Sequence, residues 1–307
     1  MRDLRTYRKR VVIAGGSGFL GRALQNRFQE AGFGVQTLSR SPGPGKVVWD
    51  GRTVGDWAKA LDGAYGVINL SGVPITRRWT DEGKKAIIDS RVESTRAIAQ
   101  AIENLNPPPR VWVNASAVGI YGDRGDEVLD EGSPLGDVRE FMPECCRLWE
   151  AEACSSRTKI AILRIGVVLG HDGGAYEVLS KLTRFGLGGQ IGLGRQFVSW
   201  IHLEDICRMA LDLVENEKKG VYNGTAPNPA PNRQLMKEMR GSLRRPWSPP
   251  APPFALRLLT KLGGPESSPV LQSQRVLPSR AMEEGFQFKF ADIRNALDDL
   301  AANGDSR

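Results

Sequence analysis

The sequence predicts an α/β fold, a doubly wound parallel sheet with a smaller lobe built from the C-terminal part of the chain. Three observations carry this expectation. Five short apolar runs rich in β-branched residues alternate with longer stretches of helical periodicity, and strands separated by helices impose right-handed crossovers and parallel pairing. The runs are apolar at nearly every position, as strands covered on both faces are. After about residue 170 the texture turns glycine- and proline-rich, which marks a change of organisation.

The elements follow in order. The first ten residues, MRDLRTYRKR, are basic. The apolar run behind them, VVIA from Val11, is too short for a signal-peptide core and is read as the first strand. In the helix that follows, Leu20, Leu24, Phe28 and Ala31 fall on one stripe, and Gly32 is placed to cap its end. The next strands are VQTLS from Val35, GVINL from Gly66, VWVNAS from Val111 and IAILRIG from Ile160. Between the third and fourth runs, DEGKKAIIDSRVESTRAIAQAIENL is a long helix that the prolines at 107–109 stop. Further on, GLGGQIGLGRQF reads as a loop and WIHLEDICRMALDLVEN as a strand end feeding a helix. APNPAPN and RRPWSPPAPP are proline-rich breaks, the second leading into an amphipathic helix around FALRLLTKLGG. These boundaries give a main domain over 8–170, to which 197–226 return. A second lobe, 171–196 and 227–300, ends in a small C-terminal domain.

Composition narrows the function. With 40% hydrophobic and 25% charged residues, the chain is an ordinary globular protein. No apolar run is long enough to span a bilayer, so no membrane partner is expected. The net charge is +7, but it is scattered, with no basic helix repeat, zinc-finger spacing or aromatic RNA-binding signature. Anionic small molecules, not nucleic acid, are the expected partners. Four cysteines without a CxxC pair suit a reducing, cytoplasmic setting. Two histidines are too few for a multi-histidine metal site, and no metal is expected.

Between the first strand and its helix, four glycines stand within seven residues in the pattern GGxGxxG, at Gly15, Gly16, Gly18 and Gly21. Gly15 permits a tight turn, Gly18 lets backbone approach a diphosphate, and Gly21 lets helix and strand pack closely, with Gly16 an addition to the pattern. The helix N-terminus then faces the negative charge. Following a strand and opening a helix, the loop is the fingerprint of a dinucleotide-binding (Rossmann) domain, so the other lobe is on the substrate side. At the end of the second strand, where an acidic residue would bind ribose hydroxyls, the sequence has LSRSPGPGK, with Ser39 and Arg40. A guanidinium forks onto a 2′-phosphate, and the acid that would repel that group is missing. A hydrogen bond to a charged group is worth about 1.5–3 kcal/mol, so Arg40 would favour NADP(H) over NAD(H) roughly ten- to a hundredfold. Asp50, ending VVWD, is placed to accept a hydrogen bond from the adenine amine.

Taken together, GGSGFLG, LSRSPGPGK, VINLSG, RRWT…IIDSRVEST, SAVGIYG, RIGVVLG, GLGGQIGLGRQFVSWIHLEDI and QRVLPSRAMEEGFQF resemble the atypical short-chain dehydrogenases/reductases of the NAD-dependent epimerase/dehydratase family. The likeness runs over about residues 10–300 and is strongest to the branch called epimerase family protein. It implies cofactor contacts on Gly15, Gly16, Ser17, Gly18, Phe19, Leu20 and Gly21, on Ser39 and Arg40, and on Leu70, Ser71 and Gly72. Arg91 and Val168 join them. Read from its residue type alone, Arg91 reaches a phosphate or ribose, or else makes a salt bridge on the helix surface.

Active members of the wider superfamily use a Ser or Thr near the end of the strand that here reads VWVNAS and a YxxxK pair on the next helix, the tyrosine exchanging a proton with substrate. Ser116 lies close to the serine position and is the candidate to polarise the reacting oxygen. The helix segment EFMPECCRLWEAEA has neither tyrosine nor lysine; aligned on Glu150, it places Met142 and Cys146 in their stead. Tyr121 is then a second catalytic candidate, with packing as its other reading. Arg195 and Gln196 are placed to meet an anionic or sugar-like substrate, with Trp200 as an apolar wall. Two functions stand open: an NADP(H)-dependent oxidoreductase or epimerase-like enzyme acting on a small hydroxyl or carbonyl compound, or a non-catalytic NADP(H) sensor. A homodimer is the candidate assembly.

Overall fold

A computed structural model describes residues 9–155, 157–262 and 266–304; most of the basic N-terminal segment lies outside the described residues. The central sheet has seven parallel strands, here β1 (Arg10–Ala14), β2 (Gly34–Ser39), β3 (Lys46–Val48), β4 (Gly66–Asn69), β5 (Val111–Ala117), β6 (Lys159–Ile165) and β7 (Gly220–Gly224). Their order is β7-β6-β5-β4-β1-β2-β3. Two of them escape the sequence reading. β3 has three residues on the sheet edge with none buried, and β7, GVYNG, begins and ends in glycine, so neither shows an apolar run.

The helices are α1 (Phe19–Glu30), α2 (Asp81–Glu103), α3 (Phe141–Glu152), α4 (Gly174–Arg184), α5 (Leu203–Glu215), α6 (Asn232–Ser242) and α7 (Pro253–Lys261), followed by shorter turns and a last helix, Ile293–Gly304. Strand alternation decides which helix covers which face. Val11 and Ile13 of β1 pack with Leu24 and Phe28 of α1 and with Ile206, Met209 and Leu213 of α5. Val12 and Ala14 point the other way, to Ala97, Ile98 and Ile102 of α2. α2 starts as its sequence indicates, Thr80 Oγ1 accepting from the Gly83 amide at 3.1 Å, and it ends before the prolines.

A further core beside the sheet buries Leu169, Tyr176, Trp200, Leu235, Met239, Leu297 and Leu300 together, so Leu169 and Trp200, which the sequence-based bounds place in the main domain, pack with residues of the second lobe. That lobe is tied to the sheet at the start of α5. His202 is the N-cap, its Nδ1 accepting from the Glu204 amide at 3.1 Å. Asp205, fully buried, accepts the amides of Lys289 and Phe290, both at 2.8 Å. No described helix is long and apolar enough to cross a membrane.

Candidate functional site

The strand order reverses between β1 and β4, and crevices at the carboxyl ends of strands at such a switch point are where open α/β sheets bind ligands. A cavity of about 340 Å³ lies here, lined by the glycine loop, the ends of β4, β5 and β6, and α2 and α3 residues. The loop geometry follows from the absence of side chains. Gly15 has φ +76°, and a Cβ on it would lie 2.9 Å from the Leu70 carbonyl carbon. A Cβ on Gly21 would fall 2.5 Å from the Gly15 oxygen and the Gly16 Cα, so the third glycine is what lets α1 pack on the turn. A Cβ on Gly18 would meet nothing nearer than the Gly15 oxygen at 3.4 Å. Gly18 therefore leaves open space on the cavity side, as a backbone approaching a diphosphate requires. It is also the N-cap of α1, with no side-chain cap and no acid in the first turn, leaving the dipole end to an anion.

Gly15, Gly18, Phe19, Leu20, Gly21, Leu70 and Arg91 line the cavity. Gly16 and Ser17 complete the turn, their carbonyls accepting from Gln25 and Arg22. Arg91 makes no salt bridge among the described residues, which removes the helix-surface alternative. Its Nη1 donates to the carbonyls of Val73 and Ile87 at 3.1 and 3.0 Å, and its guanidinium lies over Trp149, 5.1 Å from the ring centre. Burial pulls its pKa down, opposed only by the thiols of Cys145 and Cys146. A Cβ on Gly72 would stand 2.9 Å from the Arg91 Cζ, so glycine there makes room for the guanidinium. The neighbouring Ser71 hydroxyl is buried and unpartnered among the described residues. An unpaired cation and an unsatisfied hydroxyl beside a capless helix end fit a diphosphate-bearing dinucleotide.

The register Ala14↔Leu38 brings Ser39 and Arg40 alongside the glycine loop. Ser39 is buried and its Oγ accepts from the Ser41 amide. Arg40 is exposed and unpaired among the described residues. Asp50 is exposed and already accepts three local hydrogen bonds: Oδ1 from the amides of Arg52 and Thr53 at 2.8 and 2.9 Å, and Oδ2 from the Thr53 hydroxyl at 2.6 Å. Those hydrogen bonds, the Thr53 hydroxyl first, hold its pKa below the usual carboxylate range. Val168 lies outside the lining, packed against the main core and paired with Ile201; Ile165 and Gly166 border the cavity in its place.

At the far end of the cavity stand Ala115, Ser116 and Ala117 of β5, facing Met142, Cys145, Cys146 and Trp149 of α3. Ser116 Oγ donates to Glu150 Oε1 at 2.6 Å. Glu150 is clamped by Arg164, whose Nε and Nη2 reach the two oxygens at 2.9 and 2.8 Å. Glu150 thus accepts from the guanidinium on both oxygens, and Ser116's single proton is committed to it. The hydroxyl thus turns lone pairs toward a reacting oxygen, contrary to a polarising, proton-donating serine. Cys146 is buried and burial pushes its thiol up to about 12; Cys145 is raised for the same reason. Neither ionises near neutrality, and Met142 has no proton to exchange.

Two further expectations are corrected. Tyr121 is fully buried; its hydroxyl donates to Asn223 Oδ1 at 2.9 Å and accepts from Arg164 Nη1 at 3.0 Å. Burial raises its pKa, and it packs with Val118, Ile120, Leu129 and Val276, a core residue outside the cavity. Trp200 is fully buried in the core it shares with the second lobe, its indole donating to the Asn228 carbonyl at 2.9 Å, because its short strand lies inside, paired with Val167–Leu169. Arg195 is exposed and Gln196 half-buried, its amide reaching the Ile191 carbonyl at 3.5 Å; neither lines this cavity. A second cavity, about 440 Å³, is bounded by Asp123, Lys261, Glu266 and Ser267 and holds none of the expected site residues.

Sequence reasoning passed over Trp149, Glu150 and Arg164. The first had a usable signal: Met142, Cys145, Cys146 and Trp149 follow the i, i+3, i+4, i+7 spacing of one helix face. The Glu150–Arg164 pair joins a helix to a strand and has no local signature.

Comparison with known proteins agrees with this geometry. Residues 11–224 match the NAD dependent epimerase/dehydratase family, and residues 251–300 match a domain of unknown function (DUF1731). Epimerase family protein SDR39U1 from Homo sapiens is 35% identical over 299 residues, covering 95% of this chain and all of that protein. A chloroplastic homolog of it from Arabidopsis thaliana is 36% identical over 300 residues, covering 94% of this chain and 85% of that one. The crystal structure of the human protein with NADPH superposes with a TM-score of 0.86 at 34% identity, covering 96% of this chain and 99% of that chain. A nucleoside-diphosphate sugar epimerase from Corynebacterium glutamicum gives 0.76 at 31% identity, covering 96% of this chain and 58% of that chain. A parallel sheet with a glycine cradle at its switch point, matched along more than two thirds of its length, makes this chain a member of the NAD-dependent epimerase/dehydratase family.

Proposed function

We propose that this protein is an NADP(H)-dependent, epimerase-like oxidoreductase acting on a small hydroxyl- or carbonyl-bearing substrate, with nucleotide-linked sugars the first class to try. The observation that carries the reading is Arg91, a desolvated guanidinium that opens on the same cavity as the glycine loop and Ser116 and has no acidic partner among the described residues. A half-buried cation without a counter-charge carries a desolvation cost, and a dinucleotide diphosphate supplies the counter-charge. The exposed Arg40 favours the 2′-phosphate of NADP(H), and a relative's crystal structure contains NADPH.

When bound, the nicotinamide supplies hydride transfer. The chain's own groups set the substrate's orientation. Ser116, its proton drawn to Glu150, accepts a hydrogen bond from a substrate hydroxyl and so holds the alcohol oxygen at the end of β5. Arg164 holds Glu150 in place through hydrogen bonds to both of its oxygens. Cys146 and Met142 exclude water from this end without exchanging protons at neutral pH. The free cysteines suit a reducing compartment, for which we take the cytoplasm; the Arabidopsis relative's name places that protein in the chloroplast.

A second reading, a sensor of cofactor state, is favoured by one feature. A hydrogen-bonded chain runs from Ser116 through Glu150, Arg164 and Tyr121 to Asn223, whose Nδ2 donates to the Leu277 carbonyl of the C-terminal segment at 2.9 Å. The experiment is to challenge the NADPH-loaded protein with nucleotide-linked sugars and small carbonyl compounds and follow cofactor fluorescence. Substrate-dependent loss of NADPH supports the enzyme; tight NADPH binding with no turnover across the panel selects the sensor.

A further inference from the structure

Two stretches of the chain, from Val178 to Leu203 and from Met239 to Pro265, contain no aspartate or glutamate and together hold eight lysines and arginines, of which Lys181 is paired with Glu177 just outside the first stretch and Arg184 also has a partner. The fold brings them together. The Ala251 amide donates to the Gln190 carbonyl at 2.7 Å, the Gly192 amide to the Ala251 carbonyl at 2.9 Å, and Arg240 Nη1 to the Gly188 carbonyl at 2.6 Å. On this joined surface large apolar side chains stand in the open: Phe185 is 83% exposed, Trp247 75%, Phe254 71% and Leu262 76%, with Leu193 and Leu258 more than half exposed. Phe254, Leu258 and Leu262 recur every fourth residue along α7 and its C-cap, so they form one outward stripe. None of the described side chains of α7 is fully buried.

An apolar face this size on a soluble surface marks an interaction site, and the charge decides what it meets. A second copy would set cations against cations. The occupant must be anionic and also offer an apolar phase for a phenylalanine, two leucines and a tryptophan. A bilayer rich in anionic phospholipid provides both, and a helix with a Phe/Leu face and basic neighbours lies in its interfacial plane. We propose that this face docks on anionic phospholipid membranes, with Phe254, Leu258 and Leu262 of the α7 region entering the headgroup boundary and Arg244 and Arg245 over the phosphates. Lys261, which shares the second cavity with Asp123 and Glu266, is left out of the contact. The expectation of no membrane partner rested on the lack of a spanning segment, which a surface-lying helix does not need.

The test is flotation of the full chain with vesicles of phosphatidylglycerol mixed with phosphatidylcholine, and with phosphatidylcholine alone. Binding to the first and not the second is expected. The double variant Phe254→Ser, Leu258→Ser should cut partitioning about tenfold or more, and Arg244→Gln or Arg245→Gln about fivefold each, with NADPH affinity unchanged as the check on folding. If the apolar variant melts early, the arginine variants carry the test. Absence of binding to the anionic vesicles overturns the proposal, as does binding that none of these variants alters. A dimer abolished by the apolar double variant assigns the face to a second copy instead, and equal retention on immobilised polyglutamate assigns it to an acidic protein.

Discussion

Two guanidiniums, Arg91 lining the cavity and Arg164 behind Ser116, stand in opposite situations. Arg91 is desolvated and unpaired, so removing it relieves a cost in the free protein and takes away a partner of the bound one. Arg91→Met should weaken NADPH binding roughly ten- to a hundredfold, from about 1.5–3 kcal/mol of lost charged hydrogen bonding, while changing the unfolding free energy of the free protein by about 1 kcal/mol or less. Fluorescence titration and urea unfolding read the two effects separately. Arg164 is the reverse case, with Glu150 as its bidentate partner at 2.8 Å and side-chain exposures of 6% and 14%. Glu150→Gln strands a buried charge and should cost about 3–5 kcal/mol of stability. Adding Arg164→Met to that variant should restore most of the loss, and a double-mutant cycle by urea unfolding measures it.

At the scale of elements, the strand–loop–helix unit β1–α1 separates two jobs that its glycines share in the sequence. Gly18→Ala places its Cβ in ordinary contact and in an ordinary backbone conformation, φ −74°; it should leave melting unchanged and reduce NADPH affinity by filling the cradle. Gly21→Ala drives a Cβ into the Gly15 backbone and should destabilise the fold by about 1–3 kcal/mol, visible in thermal melting without cofactor. This unit was fully legible in the sequence, because glycine spacing reports directly on backbone shape. The α3 wall was not: Met142, Cys145, Cys146 and Trp149 carry the periodicity of a facing surface but none of the chemistry expected of it. Short elements also hid. The edge position of β3 and the terminal glycines of β7 leave no apolar run, and the interior strand holding Trp200 is three residues long, so its aromatic read as an apolar wall beside substrate.

The whole molecule depends on the junction between its lobes, where His202 caps α5 and stacks on Phe290 with ring centres 3.9 Å apart. Burial lowers its pKa from the ordinary 6.5, with Asp299 opposing. A histidine whose folded-state pKa is depressed stabilises the fold when neutral, so its contribution is complete above its unfolded pKa and is lost as pH falls below it. Stability measured by urea unfolding should therefore drop between about pH 7 and pH 5, and His202→Asn, which keeps a capping side chain, should flatten that slope. A slope unchanged in the variant would place the acid sensitivity elsewhere.

The proposed activity requires that the cradle at the β1–β4 switch point accept a dinucleotide whose extra phosphate is read by Arg40. The most direct measurement is parallel fluorescence titration of the protein and its Arg40→Ala variant with NADPH and NADH. Binding of NADPH roughly ten- to a hundredfold tighter than NADH, with that preference lost in the variant, is the expected result; equal affinity for the two, or a preference that survives the substitution, would contradict it.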